Sequence, residues 1–317
     1  MKVVVQIPCL NEEATLPLVL QTIPRHIDGV DELVVLVIDD GSKDRTVEIA
    51  REHGVTHFVR HTRNQGLARS FHDGVNYALS IGADIVVNTD GDNQYPQDRI
   101  GDLVRPIIDG QADLVIADRQ TQDIVHFSAL KKFLQRFGSM VVNKAAATDL
   151  PDAVSGFRAY SRESLMRINT VTRFSYTTET IIQAGQKHLA IASIPITTNA
   201  KTRESRLFKS MRQMVFKQAV TIVRAFVMYR PHLVFGTLGY ILLVLGLIPF
   251  ARFLYFVFVE GSSRGHIQSL LFGIMFMTGA FLCLVLNIIA DLIRINRILI
   301  EDNLEHTKRM RFDKRQP

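Results

Sequence analysis

Short runs of apolar, mostly β-branched residues alternate with helix-like stretches over the first 120 residues of the chain. This βαβα rhythm is typical of a mostly parallel sheet that carries helices on both faces. We therefore predict an α/β domain at the start of the chain. The predicted strands are Val3–Ile7, Leu33–Ile38, Asp84–Asn88 and Asp113–Ile116, and the helix-like stretches include Thr46–His53 and Leu67–Ile81.

The alternation continues less regularly in the next part of the chain. The stretch Phe127–Ala147 is helix-like and basic, and Gly156–Tyr160 is strand-like. Further helical pieces are expected around Glu163–Ile168 and Thr178–Gln186, and Ile191–Ile196 is predicted to be the last strand.

Two long uncharged runs follow in the C-terminal third. Leu233–Ala251 has 19 residues and Ile267–Ala290 has 24, close to the roughly 20 residues that an α-helix needs to cross a bilayer. Only the short polar stretch Glu260–His266 separates them, so the two runs predict a transmembrane hairpin. Buried helices of a soluble core are the alternative interpretation of the same runs.

The stretch Arg206–Tyr229, ahead of the hairpin, has apolar residues at spacings of three and four. This pattern predicts an amphipathic helix that lies on a membrane surface, although an ordinary surface helix of a soluble domain shows the same pattern. The apolar positions are Phe208, Met211, Val215, Ala219, Ile222 and Phe226, and the opposite side carries Lys209, Gln213, Lys217 and Arg224.

The net charge of +6 is unevenly distributed along the chain. Residues 201–230 contain eight Lys and Arg against the single acid Glu204, and their position ahead of a membrane span favours lipid headgroups over nucleic acid as the partner. Basic residues also follow the hairpin, from Arg294 to Arg315, so the positive-inside rule predicts that both termini are cytoplasmic. Cys9 and Cys283 lie in very different settings, which predicts no disulfide framework.

The polar residues that follow the predicted strands carry the candidate chemistry, because ligands of open α/β sheets bind beyond the carboxyl ends of the strands. The segment Asp90-Gly91-Asp92-Asn93-Gln94 follows the apolar run Ile85–Val87. Carboxylates at this spacing can hold a divalent cation against the phosphates of a nucleotide-sugar, which must be neutralised before the diphosphate leaves. An Asp-x-Asp triplet alone is more often a surface turn, and its position at the end of a strand gives it weight.

Two further acidic loops are Asp39–Ser42 and Pro8–Glu13. Their carboxylates could accept hydrogen bonds from a base or a ribose, and Gly41 permits a tight turn into the helix capped near Asp44. A plain strand-to-helix turn fits Asp39–Ser42 equally well, and the acids of Pro8–Glu13 could simply favour the start of a helix. We interpret the histidines at positions 53, 57, 61 and 72 as surface or packing residues.

Motifs of other nucleotide and metal sites are missing from the sequence. No Gly-x-Gly-x-x-Gly follows the first strand, no Gly-Lys-Ser/Thr phosphate loop is present, and no Cys/His cluster has zinc spacing.

In this order, Pro8–Glu12, Asp39–Ser42 and Asp90-x-Asp92-x-Gln94 resemble the motifs of family 2 glycosyltransferases of the GT-A fold. The segment Asp152–Arg158, Arg119 at the end of a strand and the hairpin narrow the resemblance to the polyprenyl-phosphate glycosyltransferases, the group that contains dolichol-phosphate mannosyltransferase and undecaprenyl-phosphate glucosyltransferases. The resemblance covers essentially the whole chain. It implies a GT-A catalytic domain over 1–203, an amphipathic juxtamembrane helix over 204–231, a transmembrane hairpin over 232–295 (spans at about 233–259 and 267–293) and a basic cytoplasmic tail over 296–317.

The resemblance also assigns expected roles to individual residues. The nucleotide-sugar would contact Pro8, Leu10, Asn11, Glu12, Asp39, Asp40, Asp90, Gly91 and Asp92. Mg²⁺ or Mn²⁺ would be held by Asp92 and Gln94 together with Asp90, the implied catalytic residues are Asp92, Asp152, Arg119 and Arg158, and the acceptor phosphate would meet Lys131, Arg203 and Ser205. The chain departs from its relatives in this last set: Lys131 and Gln135 stand where relatives often have Arg and Ser, and Arg203-Glu204-Ser205-Arg206 replaces a Gly-x-Ser-Lys segment.

The implied reaction is metal-dependent, inverting transfer of a sugar from a UDP- or GDP-sugar to a membrane polyprenyl phosphate. It would take place on the cytoplasmic face, at the plasma membrane if the source is prokaryotic. The acceptor phosphate has a second pKa of about 6, so a strong base is not required, and Asp152 could serve as a base or could orient Arg158.

Three other functions share part of this sequence pattern. Transfer to a diacylglycerol or ceramide type of lipid and a non-catalytic, membrane-bound nucleotide-sugar scaffold are the alternatives. A processive polysaccharide synthase is disfavoured because the chain has no Trp for a Gln-x-x-Arg-Trp motif. The donor sugar and a homo-oligomeric state are left open.

Overall fold

The computed structural model describes residues 1–120, 129–170, 176–199, 227, 231–259, 261 and 267–312, without the side chains of residues 129–135 and 137. The chain divides into two compact units. One consists of Met1–Val215 with Glu301–Pro317, and the other of Phe216–Ile300. The predicted amphipathic helix over 204–231 lies almost wholly outside the described residues, and so does Arg203.

The described residues of the first unit form a seven-stranded, mostly parallel sheet. In chain order the strands are β1 (Lys2–Cys9), β2 (Glu32–Asp39), β3 (His57–Arg60), β4 (Ile85–Asn88), β5 (Leu114–Asp118), β6 (Arg158–Ser161) and β7 (Ile191–Pro195). Across the sheet they are ordered β3-β2-β1-β4-β6-β5-β7. Only β6, among these strands, runs antiparallel to its neighbours β4 and β5.

Both faces of the sheet are covered, as the sequence rhythm predicts. Successive residues of a strand point to opposite faces; in β1, Val3 and Val5 enter one hydrophobic core, while Val4 and Gln6 on the other face are also fully buried. The helices are α1 (Leu16–Thr22), α2 (Thr46–Glu52), α3 (Leu67–Ser80), α4 (Ile100–Ile108), α5 (Ala129–Ala146), α6 (Arg162–Arg167), α7 (Tyr176–Gln186), α8 (Thr237–Phe258) and α9 (Ile267–Phe312).

The last part of α9 belongs to the first unit. The Lys308 ammonium donates to the carbonyls of Leu165 and Ile168 at 2.9 and 2.7 Å, and Arg162 donates to the Phe312 carbonyl at 2.8 Å. The stretch that the sequence presents as a basic tail therefore continues α9 as far as Phe312 and, from Glu301, packs beside α6.

The second unit contains helices that are long and apolar enough to cross a membrane, at His232–Phe258 and along α9. In the most apolar 18-residue stretch of each helix, the buried share is only 6% for His232–Phe258 and 17% for α9. A core helix of a soluble protein would be mostly buried, and large apolar side chains such as Phe258 and Phe281 would be costly to expose to water. The two helices therefore indicate membrane association.

Glycines allow α8 and α9 to approach closely within this unit. A Cβ atom added at Gly246 would lie 2.9 Å from Met277 Cγ and 3.1 Å from the Gly273 carbonyl oxygen, and one added at Gly273 would lie 3.1 Å from Phe250 Cβ. Small residues at such contacts let helix backbones pack tightly in a membrane, where van der Waals contact is a main driving force.

We expect Gly246→Leu to destabilise this hairpin by about 1–3 kcal/mol, because an overpacked contact forces the helices apart. The measurement is thermal unfolding of the full-length protein in detergent, followed by circular dichroism. Gly236→Leu is the matched control, since nothing lies within 4 Å of a Cβ added at Gly236. Equal midpoints for the two variants would contradict the close packing.

Candidate functional site

The three acidic loops predicted from the sequence lie side by side at the carboxyl edge of the sheet. They follow β1, β2 and β4, which are neighbouring parallel strands. Hydrogen bonds join the first loop to the second: Asn11 N–H donates to Ser42 Oγ at 3.0 Å, and Glu12 N–H donates to Thr46 Oγ1 at 2.9 Å. The structure therefore brings the predicted loops together into one site.

Thr15 joins the first loop to the third. Its hydroxyl lies 2.7 Å from the Gly91 carbonyl oxygen and 2.9 Å from Glu12 Oε2. Glu12 is buried beside Gly91, where an added Cβ would lie 3.3 Å from Glu12 Cγ. Asn11 adopts a left-handed backbone with φ of 55°, a conformation that Asn tolerates better than most residues. Pro8 is the last but one residue of β1, and Leu10 follows that strand directly.

In the second loop, Asp39 and Asp40 have different surroundings. Asp39 Oδ1 accepts from the Ser42 N–H at 2.8 Å, and Asp39 Oδ2 lies 3.6 Å from Arg60 Nε. Asp40 is buried, and its carboxylate accepts hydrogen bonds from the backbone of the loop that follows β3. Both residues were predicted to contact the nucleotide-sugar, but both carboxylate oxygens of Asp40 already accept hydrogen bonds from the protein itself.

The third loop holds Asp92 and Gln94 next to each other. Asp92 Oδ2 accepts from Gln94 Nε2 at 2.8 Å, and Asp92 Oδ1 accepts from the Gln94 N–H at 3.2 Å. Asn93 between them has φ of 60°. Asn199 supports the loop from outside, because its side-chain amide donates to the carbonyls of Asn93 and Tyr95 at 3.1 and 3.0 Å. Sequence reasoning did not identify Asn199 or Thr15.

The donor atoms of this loop suit a hard divalent cation, which prefers carboxylate and carbonyl oxygens. Asp92 and Gln94 can each offer one such oxygen, with phosphate oxygens of a ligand completing the coordination. In the part of the chain that the structure describes, no group of three or more His, Cys, Asp or Glu side chains is arranged to hold a metal ion.

Arg119 directly follows β5 and forms an ion pair with the buried carboxylate of Asp152. The Arg119 Nε and Nη2 atoms donate to the two carboxylate oxygens of Asp152 at 2.7 and 3.0 Å, and the Asp152 side chain is only 3% exposed. Burial opposes the charge on Arg119, but the hydrogen bond and charge of Asp152 and the charge of Asp90 outweigh it and raise the pKa of the guanidinium above its ordinary value. Arg119 is therefore a permanent cation on the side of the site where Asp90 lies.

Arg158 lies elsewhere, although the sequence groups it with the catalytic residues. It is fully buried in β6, and its guanidinium donates to the carbonyls of Ser155, Ala153 and Thr177 and to the hydroxyl of Thr180. Asp152 pairs with Arg119 and not with Arg158. The arrangement corrects the expectation that Asp152 orients Arg158: Arg158 holds the 153–155 turn against α7.

Gly156 is the point where the third loop meets the segment 152–158. A Cβ atom added there would lie 3.2–3.3 Å from the Tyr176 hydroxyl, Asp90 Oδ2 and the Tyr95 hydroxyl. The Gly156 N–H donates to the Tyr95 hydroxyl at 2.9 Å, and burial raises the pKa of Tyr95 to about 12. Tyr95 therefore stays a neutral phenol, and Asp90 is fixed close to the segment that carries Asp152.

The predicted contacts with the acceptor phosphate lie outside the described residues. Lys131 is within α5, but its side chain is not described, and Arg203 and Ser205 are not described at all. Their roles stay predictions.

The sequence of this chain matches those of known sugar transferases. The sequence profile of the family described as Glycosyl transferase family 2 matches residues 4–168. The undecaprenyl-phosphate mannosyltransferase of Micrococcus luteus is 31% identical over 53% of this chain and 70% of its own length. The UDP-N-acetylglucosamine–dolichyl-phosphate N-acetylglucosaminyltransferase of Methanococcus voltae is 26% identical over 61% of this chain and 83% of its own length.

A solved structure has the same fold. Glucosyl-3-phosphoglycerate synthase from Mycobacterium tuberculosis, crystallised with Mn²⁺, UDP-glucose and phosphoglyceric acid, matches with a TM-score of 0.52 and 24% identity. The match covers 70% of this chain and 79% of that one. At this sequence identity, the likeness establishes only the α/β fold of the first unit.

Proposed function

Because the chain belongs to glycosyl transferase family 2 and is a glycosyltransferase, we propose that it transfers a sugar from a UDP- or GDP-sugar to a membrane polyprenyl phosphate. The observation that carries the proposal is the row of three acidic loops joined by hydrogen bonds at the carboxyl edge of β2, β1 and β4. Two relatives whose names state a polyprenyl or dolichyl phosphate acceptor support the acceptor class.

The nucleotide-sugar is assigned to the three loops. Pro8, Leu10, Asn11, Glu12 and Asp39 would border the nucleotide, and Asp90, Gly91 and Asp92 would lie at the ribose and the diphosphate. Asp92 and Gln94, with Asp90 beside them, would hold Mg²⁺ or Mn²⁺, which supplies positive charge for the leaving diphosphate. The left-handed backbone at Asn93 and the support from Asn199 keep these side chains in place before the donor binds.

The acceptor phosphate needs no base. With a second pKa of about 6 it is largely dianionic near pH 7, so one of its oxygens can attack the anomeric carbon directly. The bond from that carbon to the diphosphate oxygen breaks as the new carbon–oxygen bond forms, and the nucleoside diphosphate leaves with the electron pair. A single in-line displacement inverts the anomeric configuration, and no proton has to move.

Arg119 and Asp152 act as a pair in this mechanism. Both carboxylate oxygens of Asp152 accept hydrogen bonds from Arg119, which supports a positioning role for Asp152 and argues against a role as base. The Arg119 cation would stabilise negative charge on the phosphates that meet in the site. Arg158 is assigned to the support of this segment, from its buried contacts with Ser155 and Ala153.

The membrane hairpin would keep the catalytic domain at the bilayer, on the cytoplasmic face, with both termini on that side. The basic residues on either side of the hairpin support this orientation. In this proposal the chain consists of a catalytic domain over 1–203, an amphipathic juxtamembrane helix over 204–231, a transmembrane hairpin over 232–295 and a basic cytoplasmic tail over 296–317.

The test is a donor panel with the full-length protein in vesicles. UDP-glucose, UDP-galactose, UDP-N-acetylglucosamine and GDP-mannose are each offered with undecaprenyl phosphate, dolichyl phosphate, diacylglycerol or ceramide, with and without Mg²⁺ or Mn²⁺. The lipids are then separated by thin-layer chromatography. We expect one donor to give a metal-dependent glycolipid that forms only with the lipid phosphate. Transfer to diacylglycerol or ceramide, or nucleotide-sugar binding without turnover, would reject the proposal.

A further inference from the structure

A fourth loop lies in the same row as the three acidic ones. It comprises residues 61–66, between β3 and α3, and is here called the β3–α3 loop. Because β3 pairs with β2 in parallel, this loop lies at the carboxyl edge next to Asp39–Ser42. Its residues Thr62, Arg63, Asn64 and Gln65 are exposed, and it is basic where the other three loops are acidic.

Asp40 holds both ends of the β3–α3 loop. Asp40 Oδ1 accepts from the Gln65 N–H at 2.8 Å and lies 2.7 Å from His61 Nδ1, and Asp40 Oδ2 accepts from the Gly66 N–H at 2.9 Å. All three contacts are with this loop, and the Asp40 side chain is buried. A buried carboxylate with such partners is expensive to disturb, because each lost contact leaves a polar group without its bond.

His61 extends the connection into α3. Its Nε2 atom lies 3.2 Å from Asp73 Oδ2, and the same oxygen accepts from Arg69 Nε at 2.7 Å. The His61 ring is buried between the two carboxylates. A chain of polar side chains (Asp40, His61, Asp73 and Arg69) thus links the end of β2 to the first turns of α3, across the base of the loop.

Gly41 supports the middle of the same loop. It has φ of 82°, and a Cβ atom added there would lie 2.8 Å from the Arg63 carbonyl carbon and 2.9 Å from Arg63 Cα. The loop backbone therefore packs directly on the Asp39–Ser42 turn. The backbone N–H of His61 also donates to the Asp39 carbonyl at 2.9 Å. The loop is therefore in direct contact with both Asp39 and Gly41.

We propose that Asp40 and His61 are positioning residues, which fix the β3–α3 loop as the outer wall of the donor-nucleotide site and thereby set donor affinity. This inference rests on the proposed function, in which Asp39 borders the nucleotide. Asp40 acts through the loop, because the loop occupies both of its oxygens. Its loss should weaken binding of the donor while the reacting atoms, which lie at the third loop, keep their geometry.

The experiment compares Asp40→Asn, His61→Ala and the double variant in the full-length protein. Hydrogen exchange of the peptide that covers residues 61–66 is measured without nucleotide, and KM and kcat are measured with the active donor. We expect faster exchange, a rise in KM of about tenfold and kcat within about twofold. The double variant should show no larger rise than the greater single one, because both changes release the same loop. Glu52→Gln and His53→Ala, at exposed positions of the neighbouring α2 region, are the matched controls.

Unchanged exchange in Asp40→Asn, or a fall in kcat with unchanged KM, would overturn the inference. If Asp40→Asn does not fold, Asp73→Asn is used instead, because it removes one contact of the His61 ring. This variant should raise KM by less than tenfold and leave kcat unchanged, and a loss confined to kcat would also overturn the inference. If the wild-type protein shows no transfer activity, the proposed function alone is rejected. The loop inference is then tested by hydrogen exchange of residues 61–66 and by the dissociation constants of UDP and GDP for the wild-type protein and the variants.

Discussion

Replacement of Asp92 by asparagine should lower kcat by about 10²–10³-fold and remove the dependence of the rate on Mg²⁺ or Mn²⁺. The substitution keeps the size of the side chain and can still contact Gln94, but it removes the negative charge that the cation needs. Loss of one preorganised electrostatic contact to a developing charge typically costs a factor of this size. The measurement is the initial rate of glycolipid formation in vesicles over a titration of each metal.

The control for this prediction is Asp98→Asn. Asp98 follows the same loop, in the short turn Gln97–Arg99, and is exposed. It should leave both kcat and the metal titration unchanged. A rate for Asp92→Asn within about threefold of wild type, with the same metal dependence, would show that the cation is not held at Asp92.

The fold of the catalytic unit could be predicted where strands are long and apolar. β1 and β2 have eight residues each and stand out as apolar runs. β3 was missed because its sequence, His-Phe-Val-Arg, begins and ends with polar residues and has a single β-branched one. The antiparallel direction of β6 was not predictable either, since apolar character reports burial and does not report the direction of a strand.

The loops of the candidate site could be predicted from the sequence, but the residues that hold these loops in place could not. Strand ends and acidic residues indicated the loops that carry Asp39 and Asp92. Thr15 and Asn199 contact residues 76 and 104 positions away in the chain, and a single sequence carries no signal for such pairs.

Asp40 and Arg158 illustrate the remaining difficulty. Their residue types fit a ligand site, but tertiary contacts decide where a side chain points, and both are bound by the protein itself. Asp39 and Asp40 are adjacent and were both predicted to contact the nucleotide-sugar, but the carboxylate of Asp40 is hydrogen-bonded to the loop that follows β3.

Arg119→Ala should lower kcat by about 10²-fold or more and should also destabilise the protein by about 3 kcal/mol. The first effect follows from the loss of a fixed cation where phosphates meet. The second follows because the Asp152 carboxylate would be left buried without its partner, a change that typically costs about 3–5 kcal/mol. Transfer rates and thermal unfolding in detergent give the two values. The control is Arg105→Ala, which breaks the exposed Arg105–Asp109 pair at 3.0 Å and should change neither appreciably.

Asp152→Asn separates positioning from base catalysis. If Asp152 only orients Arg119, the variant should lose less activity than Arg119→Ala and keep the shape of the pH–rate profile, whose acidic limb follows the acceptor phosphate near a pKa of about 6. The double variant Arg119→Ala/Asp152→Asn should be no slower than Arg119→Ala, since the effects of mutating two residues in contact are not additive. It should also be more stable than Arg119→Ala, since no carboxylate is left buried without a partner. A larger loss in Asp152→Asn than in Arg119→Ala, together with disappearance of the acidic limb, would instead make Asp152 the base and require that a proton move in the transfer.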